Sequence, residues 1–173
     1  MSLAPDQAGA GSAHSAGVVA LALDVGDARI GLATGEQGSS FVFGRGALTR
    51  EGTKRDVPAV LEAARREGAS VIVVGLPLRL DGSESPQTER VRTFAAALEA
   101  AAEPQGLRVV LEDERLTTRI AQRQVGTSAL PRTRRQEKGL LDEAAAVLIL
   151  ESYLSRLGGA PAVPPADTEG ADG

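Results

Sequence analysis

Cysteine is absent from all 173 residues, which excludes disulfides, thiolate zinc sites and a cysteine nucleophile. Tryptophan is absent too, and the aromatic complement is three Phe and one Tyr. An aromatic platform is therefore not expected to dominate any nucleic-acid binding. The single histidine, His14, argues against a Ser-His-Asp triad or a multi-histidine metal site. No apolar run approaches the roughly 18 residues of a membrane span. No Lys or Arg precedes Arg29, so the basic start of a signal or transit peptide is missing. A cytoplasmic location is the expectation.

What is present suits one domain with a real core. The formal net charge of −4 argues against a generally polybasic protein but leaves room for a local basic patch. Residues 1–17 hold one acid, Asp6, and residues 158–173 hold Asp167, Glu169 and Asp172, with no base in either stretch. Removing these four from 23 acids leaves 19, against 19 bases in 18–157. Both ends are rich in Ala, Gly, Ser and Pro and read as disordered tails around a neutral domain over 18–157.

Within that domain, Val18–Leu23 is continuously apolar and reads as a strand buried on both faces, as does Val71–Val74. Ile30–Thr34 follows a short turn through Gly26–Arg29, and a third strand is expected around Ala47–Thr49. Val57, Val60, Leu61 and Ala64 have helical spacing, with a stop at Gly68. Ser85 and Pro86 form an N-cap and first-turn pair ahead of the stripe Val91, Phe94, Ala95, Leu98 and Ala102. Leu107–Leu111 is another strand. Thr117 or Thr118 can cap a short helix, Gly126–Lys138 reads as a basic loop, and Asp142 opens a last helix ending at Gly158–Gly159. The order β-β-β-α-β-α-β-α-α suggests an α/β fold: a mixed five-stranded sheet with helices on both faces.

Carboxylates gather where elements end. Asp24 closes the first strand, Glu112, Asp113 and Glu114 close the last, and Asp142 stands at a helix start. In open α/β sheets, sites collect at the carboxyl ends of strands. If the strands of Asp24 and 112–114 run parallel and close together, their acids share one rim. Like charges gathered there repel, and divalent cations relieve the repulsion; an all-oxygen donor set suits Mg²⁺ or Mn²⁺. Each residue also has a plainer use. Asp24 before Val25-Gly26 suits a turn, Asp142 suits a helix dipole, and 112–114 suits a solvated loop.

Beside the acids, Leu116–Lys138 carries Arg119, Arg123, Arg132, Arg134, Arg135 and Lys138 against Glu137 alone. A basic stretch next to a carboxylate site suits a polyphosphate substrate, although an exposed loop without a ligand would look the same. The Gly75–Gly82 stretch reads as a defined loop between strand and helix. Through Arg79 and the helix start at Ser85 it could touch phosphate. It lacks the Gly-Lys-Ser/Thr ending of a P-loop.

Four segments together resemble the YqgF/RuvX family of Holliday-junction-resolvase-like nucleases, linked to maturation of pre-16S ribosomal RNA. They are Leu23-Asp-Val-Gly-Asp-Ala-Arg-Ile-Gly-Leu-Ala33, Val73-Val-Gly-Leu-Pro-Leu-Arg-Leu-Asp-Gly82, Asp113-Glu-Arg-Leu-Thr-Thr118 and Asp142-Glu-Ala-Ala-Ala-Val-Leu-Ile-Leu-Glu151. The resemblance covers about residues 18–157. It implies an RNase H-like fold and metal-dependent phosphodiester hydrolysis. It makes Asp24, Glu114 and Asp142 the catalytic and metal-holding acids, with Asp113 as a catalytic neighbour. Related resolvases place their second acid at the end of the fourth strand, but here that strand runs into Gly75-Leu-Pro, leaving the role to 113–114. The expected mechanism is two-metal hydrolysis with Mg²⁺ or Mn²⁺. Asp24 would bridge both ions, leaving a 5′-phosphate and a 3′-hydroxyl.

Arg29, Arg79, Arg115, Arg119, Arg132, Arg134, Arg135 and Lys138 would bind the nucleic acid, chiefly through phosphates. The implied substrate is an rRNA precursor or branched DNA, handled by a monomer or homodimer without a membrane. Two other readings stay open: a non-catalytic RNA-binding ribosome-assembly factor, and a nucleotide phosphotransferase. The second rests on Asp24-Val-Gly26 alone and would require a second copy of the domain, which this length does not supply.

Overall fold

The computed structural model describes residues 17–117 and 136–158. The two expected tails and most of the basic loop lie outside the described residues. Five strands form one sheet: β1 (Val19–Val25), β2 (Arg29–Glu36), β3 (Val42–Thr49), β4 (Val71–Leu76) and β5 (Arg108–Asp113). Their order across the sheet is β3-β2-β1-β4-β5. β2 is antiparallel to both β1 and β3, whereas β4 is parallel to both β1 and β5. The sheet is mixed, and the C-terminal ends of β1, β4 and β5 share one edge.

Among the described residues, the helices that cover it are α1 (Thr53–Glu67), α2 (Pro86–Ala102) and α3 (Gln136–Gly158). Gly68 ends α1 in the left-handed conformation, φ 66°, which a residue with a side chain adopts at a cost. Ser85 caps α2 as its sequence predicts: its hydroxyl accepts from the Thr88 N–H, and the Thr88 hydroxyl accepts from the Ser85 N–H.

Strand alternation sorts the side chains. Leu21, Leu23, Val25, Ile30, Leu32, Ile72, Val74 and Leu76 pack on one face with α1 and α2. Ala20, Ala22, Ala33, Val71 and Val73 pack on the other with Ala146, Ile149, Leu150 and Tyr153 of α3. By the same alternation Asp24 belongs to the α3 face.

Three expectations change. The third strand begins at Val42 rather than near Ala47. Its glycines hide the alternation, and one is required by packing: a methyl group at Gly44 would collide with the Glu143 carboxylate of α3. The last helix begins at Gln136, so Asp142 stands in its second turn rather than at its opening, and Lys138 is helical. Residues 115–117 are already helical, and the Thr117 hydroxyl donates back to the Glu114 carbonyl, so Thr117 does not cap that helix.

Candidate active site

Asp24 is the penultimate residue of β1, still in register opposite Gly31 of β2. It is therefore a strand residue, and the turn begins after it. On the other side, Leu23 pairs with Val74, so the next position of β4 beside Asp24 is Gly75. Asp24 thus has a glycine on each neighbouring strand, both on the α3 face. A methyl group at Gly31 would land on the backbone carbonyl of Asp142. A methyl group at Gly75 would stand 2.7 Å from Glu114 Oε1 and against the end of Ile149. Bare backbone on one side lets α3 settle beside Asp24. On the other it leaves room for the Glu114 carboxylate.

The three acids feel one another. Burial, then the charge of Asp142, pushes Asp24 up to about 6. Burial raises Glu114 to about 7, with Asp24 and then Asp113 adding to the effect. Among the described residues, neither carboxylate receives a hydrogen bond that would offset the loss of water. Partly desolvated like charges without internal donors are the electrostatic setting that a hard cation relieves. In donor type and charge, then, these residues fit a divalent ion. Among the described residues, as their side chains stand, no group of three or more acids is placed to hold a metal ion.

The neighbouring acids are otherwise engaged. Glu112 is fully buried on the α3 side and accepts from the Ser152 hydroxyl at 2.8 Å and from Arg156 Nε at 3.2 Å. Asp113 turns to the opposite side and forms a bidentate pair with Arg115, whose Nη2 lies 2.6 Å from Oδ2. That pair holds the Asp113 carboxyl below its usual range. Glu143 points to β3, over Gly44. The structure therefore sets the Asp142 backbone and the Glu114 carboxylate on either side of Asp24 and leaves Asp113 facing away.

The turn after Asp24 is braced from the other face of the sheet. Arg50 donates to the Gly26 carbonyl at 3.1 Å and to the nearly buried Asp56 at 2.9 Å, and its backbone N–H donates to Ala28 O. Arg29, half-buried, follows this turn at the start of β2. Arg79 lies exposed in a loop closed by its N–H on the Ser83 carbonyl and by Gly82 N–H on its own carbonyl. Arg115 reaches this loop, its Nη1 3.1 Å from where a Gly82 side chain would begin. Lys138 is exposed on the first turn of α3. Arg119, Arg132, Arg134 and Arg135 lie outside the described residues. Sequence reasoning missed Gly31 and Gly75 as parts of the site. Their only signal is that each occupies the strand position beside Asp24, which becomes visible once the register is known.

Comparison with known proteins bears on the family and the fold. Residues 18–156 match the family described as RuvX, Holliday junction resolvase. A Thermus thermophilus protein named "Putative pre-16S rRNA nuclease" is 50% identical over 135 residues, covering 78% of this chain and 96% of its own length. A Moorella thermoacetica protein of the same name is 41% identical over 138 residues, covering 80% of this chain and 95% of that one. Among solved structures, Thermus thermophilus RuvC in complex with a Holliday junction superposes with TM-score 0.54 at 19% identity. That match spans 83% of this chain and 98% of RuvC, and a second RuvC structure gives 0.51 at 18%. At such identity the likeness speaks for the fold, which is RNase H-like, as the sequence motifs imply. No described helix is long and apolar enough to cross a membrane. Matched over residues 18–156, the chain belongs to the RuvX family of Holliday-junction-resolvase-like proteins, and these similar relatives carry the pre-16S rRNA nuclease name.

Proposed function

We propose that this protein is a cytoplasmic, metal-dependent nuclease that hydrolyses phosphodiester bonds in structured nucleic acid. A ribosomal RNA precursor or a four-way DNA junction is the substrate class. The observation that supports this reading is Asp24 at the edge where β1, β4 and β5 end, with the Asp142 backbone over Gly31 on one side and Glu114 Oε1 over Gly75 on the other. Asp24, Glu114 and Asp142 are the acids that would hold the metal. Bound Mg²⁺ or Mn²⁺ would supply an activated water and neutralise charge on the leaving oxygen.

The remaining work falls to this chain's own cations. Arg79 and Lys138, both exposed, stand on the β4–α2 loop and on α3, where they can hold phosphates without reading bases. Arg115 is fixed by Asp113, so its guanidinium is oriented before substrate arrives. Arg29 lies on the braced turn next to Asp24. Arg119, Arg132, Arg134 and Arg135 extend the same basic character along the sequence that joins β5 to α3.

The decisive experiment is cleavage of a panel of pre-16S RNA fragments and branched DNA with Mn²⁺ or Mg²⁺, comparing the protein with Asp24→Asn. Cleavage falls to background in the variant while nucleic-acid binding persists; undiminished cleavage overturns the reading. Tight binding without turnover by the unaltered protein favours an RNA-binding assembly factor instead. Reversing charge at Arg134 and Arg135 should lower the slope of log affinity against log salt by about two, as loss of two phosphate contacts requires.

A further inference from the structure

Gly75 stands beside Asp24 on β4 and carries no side chain where nearly every other position of that strand carries a buried aliphatic one. The volume is not empty. It holds Glu114 Oε1, 2.7 Å from the point a Cβ would occupy, and the end of Ile149, whose Cγ1 lies 3.1 Å away. Glu114 follows β5, two strands from Asp24, and reaches over β4 at Gly75, the β4 position beside Asp24. The only backbone it can cross closely is one without a Cβ.

We propose that Gly75 is a positioning residue for divalent-cation binding. Its missing side chain is the channel through which Glu114 reaches Asp24, so filling it would separate cation affinity from fold stability. This rests on the metal-dependent reading above. The two glycines beside Asp24 differ in a useful way. A methyl group at Gly31 meets the backbone of Asp142, so fold and site would shift together. The three atoms nearest a methyl group at Gly75 all belong to side chains: Glu114 Oε1 and Cδ1 and Cγ1 of Ile149. Ile149 can be shortened independently, because valine lacks the Cδ1 that makes the closest approach.

The test compares the full-length protein with Gly75→Ala, Ile149→Val and Gly75→Ala/Ile149→Val. Each is melted and titrated with Mn²⁺, free Mn²⁺ being read by paramagnetic resonance. In the double variant the melting temperature returns to that of Ile149→Val, while Mn²⁺ affinity stays at least about tenfold weaker, in the range seen when the support of a metal ligand is lost. Affinity equal to that of Ile149→Val overturns the proposal and assigns Gly75 to core packing alone. Should Gly75→Ala not fold, Glu114→Asp probes the same path, since its carboxylate falls one methylene short. It should show a similar loss, and unaltered affinity again overturns the proposal. Asp24→Asn distinguishes the two levels of the argument. If it binds Mn²⁺ as the parent does, or the parent binds none, the metal-dependent reading fails and takes this proposal with it. If Asp24→Asn loses Mn²⁺ and Gly75→Ala/Ile149→Val keeps it, only the role of Gly75 fails.

Discussion

The two faces of the sheet are built from different materials. Against α1 and α2 the strands present Leu21, Leu23, Ile30, Leu32, Ile72, Val74 and Leu76, met by Val60, Phe94 and Leu98. Against α3 they present Ala20, Ala22, Ala33, Val71 and Val73, with Gly31, Gly35 and Gly75 among them and no Leu or Ile from the strands. Large side chains keep helices at a distance and bury much apolar area per residue. Small ones bring a helix down onto the sheet, which places the acid it carries close to an acid on a strand. The first face serves stability and the second serves proximity. All three candidate acids depend on the second.

If that division holds, substitutions of opposite size should break different properties. Leu98→Ala, fully buried on α2, should cost about 2–5 kcal/mol of stability through lost burial and a cavity. Mn²⁺ affinity should stay unaltered at temperatures where the variant remains folded; chemical denaturation and a Mn²⁺ titration read the two quantities. Ala22→Leu, two residues before Asp24 on the α3 face, should cost less, about 1–3 kcal/mol from overpacking. It should nonetheless depress Mn²⁺ affinity and cleavage, because α3 must lift. A fold loss with intact affinity at Ala22 would erase the distinction between the faces.

The smallest effect concerns charge. Asp24 near 6 and Glu114 near 7 both lie above the value of about 4 expected in an unfolded chain. Protons therefore bind the native state more tightly. Ionisation costs the metal-free fold stability as pH rises from about 4 through 7, and the full cost is present above that window. Asp24→Asn should raise the melting temperature of the metal-free protein at pH 8 by about 2–4 °C, and leave it unchanged near pH 4. No gain at pH 8 would mean that these acids do not strain the apo fold.

Much of this was readable in the sequence. The unbroken apolar runs before Asp24 and Gly75 fixed two central strands, and Ser85-Pro86 fixed a helix start. Strand alternation puts Glu112 and Glu114 on one face and Asp113 on the other, and the structure places Glu112 and Glu114 against α3. What could not be read were contacts between distant segments. Gly44 looks like an interruption of a strand because the carboxylate that needs its space, Glu143, is 99 residues away. Gly31 and Gly75 look like ordinary strand glycines until the register sets them either side of Asp24. The start of α3 was missed because Gln136–Lys138 are polar and lack an apolar stripe to announce a helix.

One consequence lies in the far end of α3. Ser152 and Arg156 fasten that helix to the buried Glu112 of β5. Asp142 lies ten residues before Ser152, about 15 Å along the axis at the helical rise. The helix is then a lever pinned at one end with an acid near the other. A tilt of about 4° about the pin moves Asp142 by about 1 Å over that length. The alanines and glycines beneath α3 set its angle as well as its height, and the fineness of that angle is the tolerance to which the carboxylates are spaced.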